Sequence, residues 1–171
     1  MAKIIWFTGL SGAGKTTLCE KIKKSLINNN KCLLVDGDIF RKKNKQFSFS
    51  KKNIIKNNLQ IIHYCKKNIR KYDYILVAVI SPLKKTREYA HKIFKNDYFE
   101  VHVFSSLNTL IHRDTKGLYK LSKKGLVKNL IGFNSKIKYE KSKHKHLRIN
   151  TNKLSINKCI QKIIKFVKIK I

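Results

Sequence analysis

The sequence predicts an α/β domain built on a central, mainly parallel sheet, and three observations predict it. Apolar runs of strand length alternate with stretches of helical periodicity along the 171 residues. A glycine-rich loop, Gly9-Leu10-Ser11-Gly12-Ala13-Gly14-Lys15-Thr16-Thr17, stands between the first strand pattern and the first helix pattern. The run Tyr74-Ile75-Leu76-Val77-Ala78-Val79-Ile80 is almost continuously apolar, as in a strand buried on both faces of a parallel sheet.

The first strand is read at 3–8, a short apolar run, and the first helix at 18–27, with apolar residues at 18, 22, 26 and 27. Strand, glycine loop and helix in that order turn backbone N–H groups inward around phosphate oxygens. Gly9, Gly12 and Gly14 permit the tight path. Ser11, Ala13 and Thr17 complete the loop, and the helix directs its positive end at the anion. Lys15 is placed to reach the β- and γ-phosphates of ATP, and Thr16 offers a hydroxyl to Mg²⁺. The fold expected is therefore a P-loop NTPase-type three-layer sandwich.

The second strand, at 31–35, ends in Asp36-Gly37-Asp38, which puts two carboxylates at a strand's carboxyl end, where open α/β sheets collect function. Asp38 is the candidate to orient or deprotonate an attacking hydroxyl, or to hold Mg²⁺ through water. A basic loop at 42–50 carries Phe47 and Phe49, one of them placed to stack on a base, and Ser50 caps a long helix over 51–71. The third strand, 72–80, runs into Ser81-Pro82, and a helix at 83–95 carries Arg87. A fourth strand at 98–104 and a short helix at 107–112 follow.

From Arg113 the pattern becomes polar and lysine-rich to about residue 146, which suits a basic lid over phosphates. His144, Lys145 and His146 lie within it as three neighbours in a loop with no acidic partner evident, and read as exposed side chains. A fifth strand at 147–151 and a last helix, with Ile156, Ile160, Ile163, Ile164 and Val167 on one face, cover the sheet.

One domain spans 1–171, since a single proline and seven glycines leave no flexible linker. No apolar run is long enough to span a bilayer and the start has no signal-peptide pattern, so a cytoplasmic protein without membrane contact is expected. Cys19, Cys32, Cys65 and Cys159 are scattered, without zinc spacing, and are expected as reduced thiols. The net charge of +31 is spread along the chain. Together with abundant Asn and Ile it fits AT-rich coding and solvated faces; a polyanion-binding surface is the other reading. A nucleic-acid-binding NTPase is thus a distant alternative, although no RNA-binding module is recognisable and no nucleic-acid partner is expected.

Together these stretches resemble the adenylylsulfate kinases. The resemblance rests on the phosphate loop and on Asp36-Gly37-Asp38-Ile39-Phe40-Arg41. It continues through Ile80-Ser81-Pro82 with Arg87, Arg113-Asp114-Thr115-Lys116-Gly117-Leu118-Tyr119, and Tyr139-Glu140. It implies transfer of the γ-phosphoryl of ATP to the ribose 3′-hydroxyl of a nucleotide anhydride, with Asp38 as the catalytic carboxylate. By the same resemblance Arg41 and Asn57 hold the acceptor's phosphate end, and Ile80 and Ser81 line its pocket. Phe49 and Leu130 stand at its base, Arg113 and Lys116 close over both nucleotides, and a homodimer is expected.

Two departures stand out. Ile54 occupies the place of a family arginine, with Leu59 and Gln60 in place of a later arginine pair. In the lid the family's Phe-Thr-Gly-Ile is Leu130-Ile131-Gly132-Phe133, so a stacking ring becomes a leucine unless Phe133 replaces it. A charge-assisted contact is worth about 1.5–3 kcal/mol and an aromatic pair about 0.5–1.5, so losing both weakens adenylylsulfate recognition by roughly two orders of magnitude. The acceptor expected on this reasoning is cytidine diphosphoramidate, the substrate of a family relative in capsular polysaccharide modification. Its terminal amide donates hydrogen bonds and does not need an arginine opposite. Adenylylsulfate, for sulfate activation, is the alternative.

Overall fold

The computed structural model describes residues 1–44 and 49–169; the Phe47 half of the aromatic pair lies outside them. Strands β1 (Lys3–Thr8), β2 (Cys32–Asp36), β3 (Tyr74–Ala78), β4 (Tyr98–Phe104) and β5 (Leu147–Asn150) form one sheet. All neighbours pair in parallel, in the order β2-β3-β1-β4-β5. The mainly parallel sheet expected is wholly parallel among the described residues.

Alternation along the central strands explains the two cores. Ile5 and Phe7 of β1, with Leu76 and Ala78 of β3, face one side. They pack there with α1 (Lys15–Leu26), α5 (Leu107–Arg113) and α7 (Ile156–Val167) through Leu18, Ile22, Leu26, Leu110, Ile163 and Val167. Ile4, Trp6, Ile75 and Val77 point the other way, onto Ile61, Ile62 and Cys65 of α3 (Lys51–Asn68) and Ala90 and Phe94 of α4 (Lys84–Phe94). Each such side chain contributes roughly 1.5–3 kcal/mol when fully buried, so both faces must be covered. The result is the three-layer sandwich.

Several boundaries shift for physical reasons. The expected third strand stops at Ala78, because Ile80 and Ser81 have already turned into the site; Ser81 sits at φ 44°. The Asp36 side chain accepts from the backbone N–H of Asp38 and of Ile39 and starts a helix that was not expected, α2 (Gly37–Lys43), whose last two residues take up the start of the basic loop expected at 42–50. Residues 113–146 contain α6 (Leu118–Lys123) and are anchored by Tyr119 and Leu130, both 1% exposed in the α1-side core.

On α7, Ile156 is not on the core face as expected but 45% exposed, while Cys159, Ile163 and Val167 are buried. The four thiols are free, and burial pushes Cys65 up to about 12. Among the described residues no helix is long and apolar enough to cross a membrane.

Candidate active site

The carboxyl ends of β1, β2 and β3 converge on one cleft. The loop leaving β1 is compressed against β4: at Gly9, φ is 140° and a Cβ would lie 1.9 Å from the Val103 carbonyl oxygen, so no other residue fits. Gly14, at φ 95°, precedes α1, and Gly12 lies between them with its own positive φ.

Neighbouring elements then tie the loop down. The Tyr119 hydroxyl donates to the Ser11 carbonyl at 3.0 Å, and the Thr151 hydroxyl donates to the Ala13 carbonyl at 3.1 Å. Arg113 extends this chain, donating to the Thr151 hydroxyl at 3.0 Å and to its carbonyl at 2.8 Å. The arginine read from the sequence as part of the lid is thus fixed to the rim of the phosphate loop, at the end of β5.

Lys15 is buried, and its Nζ donates to the Leu10 carbonyl at 2.8 Å. Burial, reinforced by the charge of Lys116, pushes its pKa down to about 8 despite Asp38 and Asp36 nearby. Thr16 Oγ1 donates to Asp36 Oδ2 at 2.8 Å. The carboxylate on Thr16 is therefore Asp36, which sequence reasoning placed in the neighbourhood but did not single out. Its signal was available, as the last residue of β2. Asp36 does double duty, one oxygen capping α2 and the other facing Thr16. Thr17, one residue on, is exposed and lines a groove between α1 and β2 rather than the cleft.

Asp38 meets Lys116, whose ammonium donates to Oδ2 across a gap in sequence of 78 residues. Burial alone would raise the Asp38 carboxyl. The hydrogen bond and charge of Lys116, with Arg41 and Lys15, outweigh it and hold Asp38 below its usual value. Asp38 is ionised at neutral pH, an acceptor rather than a strong base.

A cleft of about 550 Å³ opens beside this pair, lined by Thr16, Asp36, Asp38, Arg41, Phe49 and Lys116 among others. Its narrow inner part also brings in Ser11, Lys15, Ile80 and Leu130. The Arg41 guanidinium lies 4.5 Å from the centre of the Phe49 ring. Leu130 is buried at the site; Phe133 packs edge-on against Tyr119, ring centres 5.7 Å apart, and does not line the cleft.

Behind the β3 end, a smaller cavity is lined by Arg41, Ile54, Asn58, Ile80, Ser81 and Ile131, among others. Arg41 Nε and Asn58 Oδ1 have no partner there among the described residues; Asn57, expected at the acceptor, is 2% exposed with both polar side-chain atoms also unpaired, but it is not among the residues lining either cavity. A bound group that pairs with such atoms removes the penalty of burying them.

The adenylylsulphate kinase family model matches residues 1–150. This chain belongs to the adenylylsulfate kinase family. An adenylyl-sulfate kinase of Clostridium kluyveri is 32% identical over 170 residues, covering 98% of this chain and 84% of the relative. A probable adenylyl-sulfate kinase of Pyrococcus abyssi is 34% identical over 166 residues, covering 96% and 94%. The solved structure of the Mycobacterium tuberculosis APS kinase CysC, in complex with AMPPNP and APS, superposes with a TM-score of 0.89. It is 29% identical, and 98% of each chain is covered. Members of the adenylylsulfate kinase family are phosphotransferases acting on a hydroxyl group, and so is this chain.

The donor set fits the divalent metal of a kinase: a hydroxyl and a carboxylate, both hard oxygen ligands, 2.8 Å apart at the phosphate loop. Among the described residues no cluster of three His, Cys, Asp or Glu could hold a metal by itself, so phosphate and water would complete the shell. His144 corrects an expectation. It is half-buried, 2.9 Å from Glu100 Oε2 and stacked on His91, because its acidic partner comes from β4 rather than from nearby sequence.

Proposed function

We propose that this chain transfers the γ-phosphoryl of ATP to the ribose 3′-hydroxyl of a nucleotide anhydride. Adenylylsulfate is the acceptor that relatives 32% and 34% identical are named for. The observation carrying the reading is the single cleft that joins Lys15 and Thr16 of the phosphate loop to Asp38, Phe49, Ile80 and Leu130.

Phosphoryl transfer asks mainly for position and charge. Lys15 and Arg113 draw charge from the ATP phosphates, and Lys116 stands between donor and acceptor. Asp38, kept ionised, accepts a hydrogen bond from the 3′-hydroxyl and aligns O3′. The O3′–P bond forms as the bond from Pγ to its bridging oxygen breaks, and the hydroxyl proton leaves through Asp38 or solvent. Thr16, with Asp36 behind it, would hold Mg²⁺, which when bound neutralises the β- and γ-phosphate oxygens.

One observation favours a second reading, with cytidine diphosphoramidate as acceptor in capsular polysaccharide modification. The cavity at Ile54 has Arg41 as its one lining cation among the described residues and leaves the Asn58 oxygen without a donor. An amide end supplies N–H donors there; a sulfate end supplies none.

An ADP-release assay with Mg·ATP separates the two by kcat/KM. A preference for adenylylsulfate supports the first reading and a preference for cytidine diphosphoramidate the second. ADP release indifferent to either compound contradicts both.

A further inference from the structure

The wall of the acceptor cleft is held by a bracket assembled from three distant parts of the chain. Ser81 is 1% exposed yet non-glycine at φ 44°, a conformation that persists only where its surroundings impose it. Arg87, fully buried, imposes it from below. One guanidinium nitrogen donates to the Ser81 carbonyl, another to the Glu140 carbonyl, and Nε to Ser142 Oγ at 3.1 Å. Glu100 of β4 completes the pair, with Oε1 3.3 Å from Arg87 Nε and both side chains fully buried.

Residues 139–144 close the bracket from above. The Glu140 N–H donates to the Pro82 carbonyl at 2.8 Å, and its carboxylate accepts from the Lys84 N–H at 2.7 Å, at the start of α4. The Tyr139 ring lies 4.9 Å from the guanidinium, and its hydroxyl is 2.9 Å from Thr8 Oγ1. Thr8 in turn donates to the Ile80 carbonyl at 2.6 Å, beside the Gly9 N–H, which reaches the same oxygen at 3.3 Å. Donor loop and acceptor wall therefore share one carbonyl.

We propose that Arg87 is a positioning residue, and that the bracket it forms with Glu100 and 139–144 sets the acceptor wall against the phosphate loop. This rests on the reading of Ile80 and Ser81 as acceptor wall. Exchanging both members of a buried ion pair for apolar residues is often neutral for stability, whereas removing one member leaves the other buried and unpaired. What it supplies here is direction: a planar fork satisfying Ser81, Glu140 and Ser142 together, which a lysine cannot reproduce.

The test uses the pair exchange of Arg87→Met with Glu100→Met, Arg87→Lys alone and, as a milder variant should these not fold, Tyr139→Phe. Hydrogen exchange is read over 79–86 and over 9–17. Calorimetry follows AMPPNP, adenylylsulfate and cytidine diphosphoramidate. Faster exchange confined to 79–86 is expected, most in the pair exchange, with no rescue in Arg87→Lys and AMPPNP affinity within about twofold. Affinity for whichever acceptor the wild type binds should fall about tenfold or more, as small misplacements at a site do. Unchanged exchange at 79–86, or faster exchange across the whole sheet, overturns the bracket. Equal loss of AMPPNP and acceptor affinity overturns it too. If the wild type binds neither acceptor while exchange changes as expected, the bracket stands and the acceptor reading falls.

Discussion

The donor and acceptor sides of the cleft are finished to different degrees. Around the phosphate loop nearly every polar group is engaged: Lys15 with Leu10, Thr16 with Asp36, Thr151 with Ala13, Tyr119 with Ser11, and Arg113 with Thr151. Around the acceptor wall the backbone is held by Arg87 and Thr8, but some buried side-chain groups are left unpaired. Arg41 Nε and Asn58 Oδ1, which line the cavity behind β3, are buried without partners among the described residues, as are both polar atoms of Asn57, one residue before Asn58 on α3. A region held by its own contacts has its geometry set before the ligand arrives. A region with buried groups still to pair takes its specificity from whichever ligand pairs them, because leaving them unpaired is costly.

The strongest way to break this comparison is to remove the residues that join the two sides. Lys15→Ala and Asp38→Ala should each lower kcat by about 10³-fold or more, since charge placement carries most of phosphoryl transfer. Near-wild-type turnover in Asp38→Ala, measured by ADP release, would remove Asp38 from its role. Next in size, Ile54→Arg combined with Leu130→Phe should shift kcat/KM toward adenylylsulfate by roughly 100-fold, one charge-assisted contact plus one aromatic pair. No shift would mean the acceptor side does not read these positions. Arg113→Ala should raise the KM for ATP about tenfold and leave the acceptor KM in place, the loss of roughly one charge-assisted contact. Equal effects on both substrates would dissolve the distinction between the two sides.

The smallest effect is electrostatic. Burial holds the folded Lys15 near 8, below its ordinary 10.5, so its charge costs stability at low pH. That cost is relieved as pH rises from about 8 to 10.5, where the unfolded chain still binds the proton and the folded chain does not. Phosphates beside Lys15 restore the charged form. Mg·ATP binding at pH 8.5 should therefore take up protons, seen calorimetrically as an enthalpy that depends on the buffer, and much less so at pH 7. Binding with no proton uptake at pH 8.5 would show that Lys15 is charged before ATP arrives.

Local pattern made the phosphate loop, the strands and most helices legible, because apolar period and glycine placement act over a few residues. The α2 helix was not, because Asp36-Gly37 reads as a turn until one sees the Asp36 carboxylate accepting two backbone N–H groups. Asp36 and Asp38 could not be told apart in role, since that depends on which one meets Thr16 and which meets Lys116, 78 residues away. The bracket at Arg87 joins positions 53 to 55 residues apart, and His144 finds Glu100 from 44 residues away; no spacing rule announces either. Leu130 was legible as a lost ring, but not as a residue shared between site and core.

The most direct measurement is the fate of the γ-phosphoryl, followed by ³¹P NMR during turnover with Mg·ATP and each acceptor in turn. The account predicts one new phosphomonoester on the acceptor's ribose 3′-oxygen for every ADP formed, and none from Asp38→Ala. ADP appearing together with inorganic phosphate, and no phosphorylated acceptor, would contradict it.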